Sequence, residues 1–227
     1  MTSHTTDIQP HIRALLVDLD GTLYPALPVR LAMAAELLLG HWRTIRVLKI
    51  FRHEHERLRR EPGDESPYQT QLMRTAAVLG HSVETVDAAA AEWMQRRPGK
   101  WLWHFRRRGL LSAIREFRNQ GGRTALVSDY PACAKLAALG AADCFDVVVA
   151  SGEWPTLTRL KPSPQGYLAA AEQLAVPPRE CLVIGDRDDT DGAAARSAGM
   201  HFVRISLGRP LRLPSSPSRH VCSTKEA

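Results

Sequence analysis

Three short apolar runs, at residues 14–17 (ALLV), 123–127 (RTALV) and 182–184 (LVI), each give way at once to acids or hydroxyls. That repeated junction narrows the folds open to the chain. A run of this length reads as a buried strand. The polar residues that follow are Asp18-Leu19-Asp20-Gly21-Thr22, then Ser128-Asp129, then Gly185-Asp186 with Asp188, Asp189 and Asp191 close behind. Residues two apart on a strand point the same way, so Asp18 and Asp20 project together where the first strand ends. Two carboxylates side by side repel. The pair becomes favourable when a divalent cation neutralises it, or when one member keeps a proton and acts as an acid. Gly21 lets the backbone turn sharply there, which leaves the acids at a rim. Lys161-Pro162 adds a cation from a loop. In open parallel α/β sheets, ligands bind along the carboxyl edge of the strands.

Between the first two strands the composition turns helical. Segments 27–40, 41–60, 69–79 and 83–97 read as three or four helices, with Pro62-Gly63 and Pro98-Gly99 as breaks. From residue 110 onward helices and strands alternate: helices at 111–119, 132–138, 165–173 and 193–197, strands at 123–127, 147–150, 181–184 and 201–205. This rhythm predicts an α/β fold whose core is a Rossmann-like parallel sheet, interrupted by a helical insert. The expected division is a core of residues 1–24 and 109–207, an insert of 25–108, and a disordered tail, rich in Pro and Ser, at 208–227.

In order and spacing, four segments resemble the four motifs of the haloacid dehalogenase superfamily, and of its phosphatases in particular. DLDGTLY resembles the first motif, VSDY the second, LKPSPQGY the third and GDRDDTDG the fourth. The match covers about 140 residues; the insert and the tail lie outside it. The resemblance implies a mobile helical cap at the insert and a Mg2+-dependent phosphatase working through an aspartyl-phosphate. Asp18 is then the nucleophile. Asp20 protonates the leaving alcohol and later activates water, while its backbone carbonyl also binds metal. Ser128, Asp129 and Lys161 hold the phosphate, and Lys161 also balances the charge of Asp18. Asp18, Asp20, Asp186 and Asp191 hold the metal, and magnesium suits such a set of oxygens. The family places its second acid four or five residues after the first. Thr190 occupies the fourth place after Asp186, so Asp191 is preferred, with Asp189 behind it.

The net charge of +6 is concentrated in the insert, where 15 Lys and Arg face 9 Asp and Glu; the rest of the chain has 15 of each. A basic surface beside the site attracts anionic substrates. On the second helix Val47, Leu48, Phe51, His55 and Leu58 share a packing face, and Arg43, Arg46 and Lys49 lie opposite with Trp42 and Ile45. That basic face suits an anionic partner or peripheral contact with a membrane. The expected substrate is accordingly a small or lipid-linked phosphomonoester.

Other classes fit less well. A phosphomutase of a sugar phosphate would need the cap to keep water off the aspartyl-phosphate, and a receiver-like phospho-Asp switch does not explain the DxD spacing or the insert. Asp20 argues against a dehalogenase, and no GxGxxG follows the first strand as dinucleotide binding would require. No nucleic acid is expected, because the basic composition comes without a recognition motif. His53-Glu54-His55-Glu56 lacks the HExxH spacing of a zinc site. Cys133, Cys144, Cys181 and Cys222 show no CxxC pairing and read as reduced thiols. The polar N-terminal stretch has no signal-peptide centre, which points to a cytoplasmic location.

Overall fold

The computed structural model describes residues 11–205. The expected tail at 208–227, and Cys222 within it, lie outside the described residues. The sheet has five strands: β1 (Ala14–Asp18), β2 (Arg123–Ser128), β3 (Val147–Ala150), β4 (Cys181–Gly185) and β5 (His201–Arg204). Its order is β3-β2-β1-β4-β5 and every pairing is parallel. Val17 lies level with Leu126 on one side and Ile184 on the other, so the ends of β1, β2 and β4 form one edge. The chain builds outward from β1 in one direction and then returns to build in the other. The strand order thus reverses beside β1, the place where such sheets hold ligands.

All five residues of β1 are buried, as a strand covered on both faces must be. Alternate side chains point to opposite faces. Leu15, Val17, Leu126 and Ile184 meet Ile114 and Phe117 of α6 (Arg108–Asn119) and Leu136 of α7 (Cys133–Leu139). Leu16, Val127 and Val183 meet Tyr167 of α8 (Gln165–Gln173) and the small Ala194 and Ala195 of α9 (Ala193–Ser197).

The insert consists of α1 (Ala26–Leu38), α2 (Trp42–Arg60), α3 (Pro67–Leu79), α4 (Val83–Ala90) and α5 (Gly99–Phe105). Local chemistry sets the boundaries. Gly80 ends α3 in the left-handed conformation at φ 64°, and Ser82 opens α4 by accepting the Thr85 N–H at 3.2 Å. The expected helix over 83–97 is not uniform: after Ala90 it widens into a π-helical turn, Ala91–Arg96, and a separate α5 follows Pro98. Phe51, Tyr68, Leu72, Val86 and Ala90 form the insert's own apolar cluster. Glu36 of α1 ties to α5 by accepting the Trp101 indole N–H at 2.7 Å and pairing with Lys100 at 2.8 Å.

The two faces expected of α2 divide differently in the structure. Leu48, Phe51, His55 and Leu58 are buried as the periodicity requires. Ile45 and Lys49, however, turn into a cavity together with Leu48, while Trp42, Arg43 and Arg46 face outward. Positions 45, 48 and 52 lie three or four apart and share a face, and Lys49, in line with Trp42 seven residues before it, stands at the border of that face with the outward one. Among the described residues no helix is long and apolar enough to cross a membrane.

Candidate active site

The segment after β1 folds back tightly. Leu23 donates its N–H to the Leu19 carbonyl at 3.0 Å, and Gly21 adopts φ 98°, a left-handed value that disfavours any residue with a Cβ. Space adds a second requirement: a Cβ on Gly21 would lie 2.0 Å from Asp186 Oδ2. Gly185 is equally confined, since its Cβ would meet Asp191 at 2.5 Å. Both glycines allow acids from two strands to crowd together.

Asp18, Asp20, Ser128, Asp129, Lys161, Asp186 and Asp191 all line one cavity of about 690 Å³ between the sheet edge and the insert. Lys161 lies at its floor. The Lys161 ammonium donates to Asp18 Oδ1 and, at 2.8 Å, to Asp191 Oδ1. Thr22 Oγ1 donates to Asp18 Oδ2 at 2.9 Å, and the Tyr167 hydroxyl donates to Asp191 at 2.9 Å. Asp189, by contrast, is exposed and paired with Arg187 at 2.5 Å. Asp20 takes another partner: the Lys135 ammonium donates to both of its oxygens at 2.7 Å, and the Tyr24 hydroxyl also donates to it. Ser128 Oγ bonds locally, donating to the Tyr130 carbonyl at 2.7 Å. Asp129 accepts the Lys161 backbone N–H at 3.1 Å through one oxygen and the Arg59 guanidinium at 2.7 Å through the other.

Asp18, Asp186 and Asp191 each offer a carboxylate oxygen, and the three oxygens lie within 4.8 Å of one another. Burial pushes the Asp18 carboxyl up to about 8 against the pull of Lys161, and Asp191 adds to the rise. Burial and Asp191 likewise raise Asp186. Three acids thus share the charge of Lys161, whose own pKa is held well above its usual value because Asp18, Tyr167 and Asp191 outweigh burial. An oxygen-only cluster with surplus negative charge fits a hard divalent cation such as Mg2+. Burial alone would raise Asp20 and Asp129. The neighbouring Lys135 instead holds Asp20 below the usual carboxylate range, and Lys161 and Arg59 do the same for Asp129.

Several of these contacts have no counterpart in the sequence motifs. Lys135 and Arg59 sit on helices, where a cation ordinarily reads as solvated, and Tyr167 looks like a packing residue. The two tyrosines did lie within motif segments, Tyr24 closing the first and Tyr167 the third, though neither spacing shows which acid it bonds.

A parallel sheet with this carboxylate, hydroxyl and ammonium set at the end of its central strand defines a hydrolase of the α/β class. A family model of haloacid dehalogenase-like hydrolases matches residues 12–199, and the chain belongs to that family. Among its relatives are a glyceraldehyde 3-phosphate phosphatase of Methanopyrus kandleri, 28% identical over 87% of this chain and 85% of the relative, and a phosphoglycolate phosphatase of Nitrosospira multiformis, 29% identical over 87% and 84%. A solved 2-haloacid dehalogenase from Pseudomonas syringae shares the fold with a TM-score of 0.56, at 18% identity, over 88% of this chain and 92% of that one.

Proposed function

We propose that the chain is a Mg2+-dependent phosphatase that hydrolyses a phosphomonoester, small or lipid-linked, through an aspartyl-phosphate. The observation that supports this best is the placement of Lys161 between Asp18 and Asp191, with Asp186 alongside, at the foot of a cavity. A phosphomonoester is an anion, so a carboxylate attacks it only where positive charge offsets the repulsion. A divalent cation held by these acids would supply part of that positive charge.

In this reading Asp18 attacks phosphorus and the bond from phosphorus to the leaving oxygen breaks. Asp20, made to take up a proton from solvent by the phosphate anion bound beside it, gives that proton to the leaving alkoxide. Water, deprotonated by Asp20, then cleaves the acyl phosphate, which frees phosphate and restores Asp18. Lys135 and Tyr24 hold the Asp20 carboxylate as an anion, the form in which it acts as the base. Lys161 offsets charge on Asp18 and the phosphoryl group, and Ser128 and Asp129 border the phosphate. Asp186 and Asp191, with Asp18 and the Asp20 carbonyl, would hold the metal. The names of the relatives, a glyceraldehyde 3-phosphate phosphatase and a phosphoglycolate phosphatase, support the small end of the substrate range. The outward Trp42, Arg43 and Arg46 support peripheral membrane contact by an otherwise cytoplasmic enzyme.

Phosphate release across sugar phosphates, phosphoglycolate and alkyl phosphates tests the reading. Asp18→Asn is expected to lower kcat by at least about a thousandfold. Full turnover by that variant overturns the assignment of the nucleophile, and isomer exchange in place of phosphate release would indicate a mutase.

A further inference from the structure

The active-site cavity changes character along its length. Its floor is charged, with Asp18, Lys161 and the acids around them. The C-terminal end of α2 is pinned to that floor by the 2.7 Å bond from Arg59 to Asp129. Going back along the lining face of α2, the side chains are Arg59, Glu56, His55, Arg52 and Lys49, then Leu48 and Ile45. At about 1.5 Å per residue, Ile45 lies about 21 Å along the helix from Arg59.

The first helix is apolar along nearly all of its lining face. It starts beside the floor, where Tyr24 bonds Asp20, and passes Ala26 and Val29, then Arg30 as its one charge, before reaching Met33, Ala34 and Leu37. Leu37 is about 17 Å along the axis from Ala26. Trp93 and Met94, from the π-helical turn, close the wall. A π turn interrupting an α-helix is a frequent feature of functional sites.

At the far end, therefore, the wall is Met33, Leu37, Ile45, Leu48, Trp93 and Met94. Apart from the indole N–H, these side chains offer a ligand no strong hydrogen bond. A sugar hydroxyl placed there would be desolvated without compensation. The volume of about 690 Å³ is also of the size that encloses drug-sized ligands. A second feature lies just outside the same end: at the α1–α2 turn, Leu38, Leu39 and Trp42 are 72%, 88% and 67% exposed. A chain too long for the cavity would emerge beside apolar surface.

We propose that the distal half of this cavity holds the apolar tail of an amphiphilic phosphomonoester, making the substrate a long-chain alkyl or prenyl-type phosphate and not a short polyol phosphate. The proposal rests on the hydrolase reading above and chooses between its two substrate ranges. The head is bound by the floor, the first stretch of the substrate passes Arg30, Lys49 and Arg52, and the tail displaces water from the aliphatic wall.

The test is phosphate release from a series running from ethyl to decyl phosphate, each kept below its aggregation concentration, beside glyceraldehyde 3-phosphate and fructose 1-phosphate. kcat/KM is expected to rise by up to about fourfold per added methylene until the wall is filled. Leu37→Ser is expected to lower the ratio of decyl to ethyl phosphate kcat/KM by at least about fivefold. A flat chain-length profile, or preference for the polyol phosphates, overturns the tail site while leaving phosphate hydrolysis in place. Release from none of the esters overturns the hydrolase reading itself, and the tail site with it.

Discussion

The Arg59 guanidinium of the insert lies 2.7 Å from Asp129, the residue next to Ser128 at the end of β2. Both side chains are largely buried, and burial with one partner removed costs roughly 3–5 kcal/mol. The pair therefore favours the insert sitting down on the sheet edge. Beside it, the His55 ring stacks on Tyr130 at 4.1 Å, a second contact of the same kind.

Replacing Arg59 with Ala leaves Asp129 to be hydrated by opening of the insert. Arg59→Ala is expected to lower kcat/KM roughly 10- to 100-fold and to speed amide exchange in α2. Unchanged exchange together with unchanged kinetics would show that the bridge does not hold the insert closed.

Gly21→Ala meets two obstacles, the left-handed φ of 98° and the approach of 2.0 Å to Asp186 Oδ2. Relief requires Asp186 to move away from Asp18 and Asp191. The variant is expected to lose about 1–3 kcal/mol of stability and most of the Tm increase that Mg2+ gives the wild type. Thermal unfolding with Mg2+ and with a chelator checks both.

His55 gives the fold a dependence on pH. Burial lowers its pKa from 6.5 to about 4, so the folded protein keeps the ring neutral where the unfolded chain protonates it. The unfolded state binds more protons below pH 6.5, and stability falls as pH drops from there toward 4. The loss reaches about 3 kcal/mol at most. Urea unfolding at stepped pH is expected to show the wild type losing stability relative to His55→Phe as pH falls from 6.5 to 4, with the buried Asp18 carboxyl shifting both proteins alike; a constant difference would exclude His55 as the cause.

Lys135 is almost fully buried, and both oxygens of Asp20 meet it at 2.7 Å. Lys135→Met removes the contact that fixes the carboxylate while leaving Asp18, Asp186 and Asp191 untouched. kcat is expected to fall roughly 10- to 100-fold with KM changing much less. A rise in KM alone would place Lys135 in substrate binding instead.

The sequence disclosed what lies at strand ends. Asp18, Ser128 and Asp186 were legible because each closes an apolar run, and parallel strands bring their ends together without further information. Lys135 and Arg59 were not legible, since nothing in their neighbours shows that a lysine on α7 or an arginine on α2 is buried; that follows from partners 115 and 70 residues away. The division of α2 was misread for a related reason. Periodicity finds a packing face, yet a helix wedged between a core and a cavity has a second inward face, to which Ile45 belongs, with the exposed Lys49 at its rim. The π turn at Ala91–Arg96 inserts its extra width where composition still reads as plain helix.

The strand bearing Asp18 has a hydrogen-bonded neighbour on each side, and each of those has another beyond it. Fraying from either margin must consume two strands before it reaches the attacking carboxylate. Ser128 and Asp186, at the ends of β2 and β4, stand only one strand from the margins, so the nucleophile is the last member of the site that melting from the sheet edges disturbs.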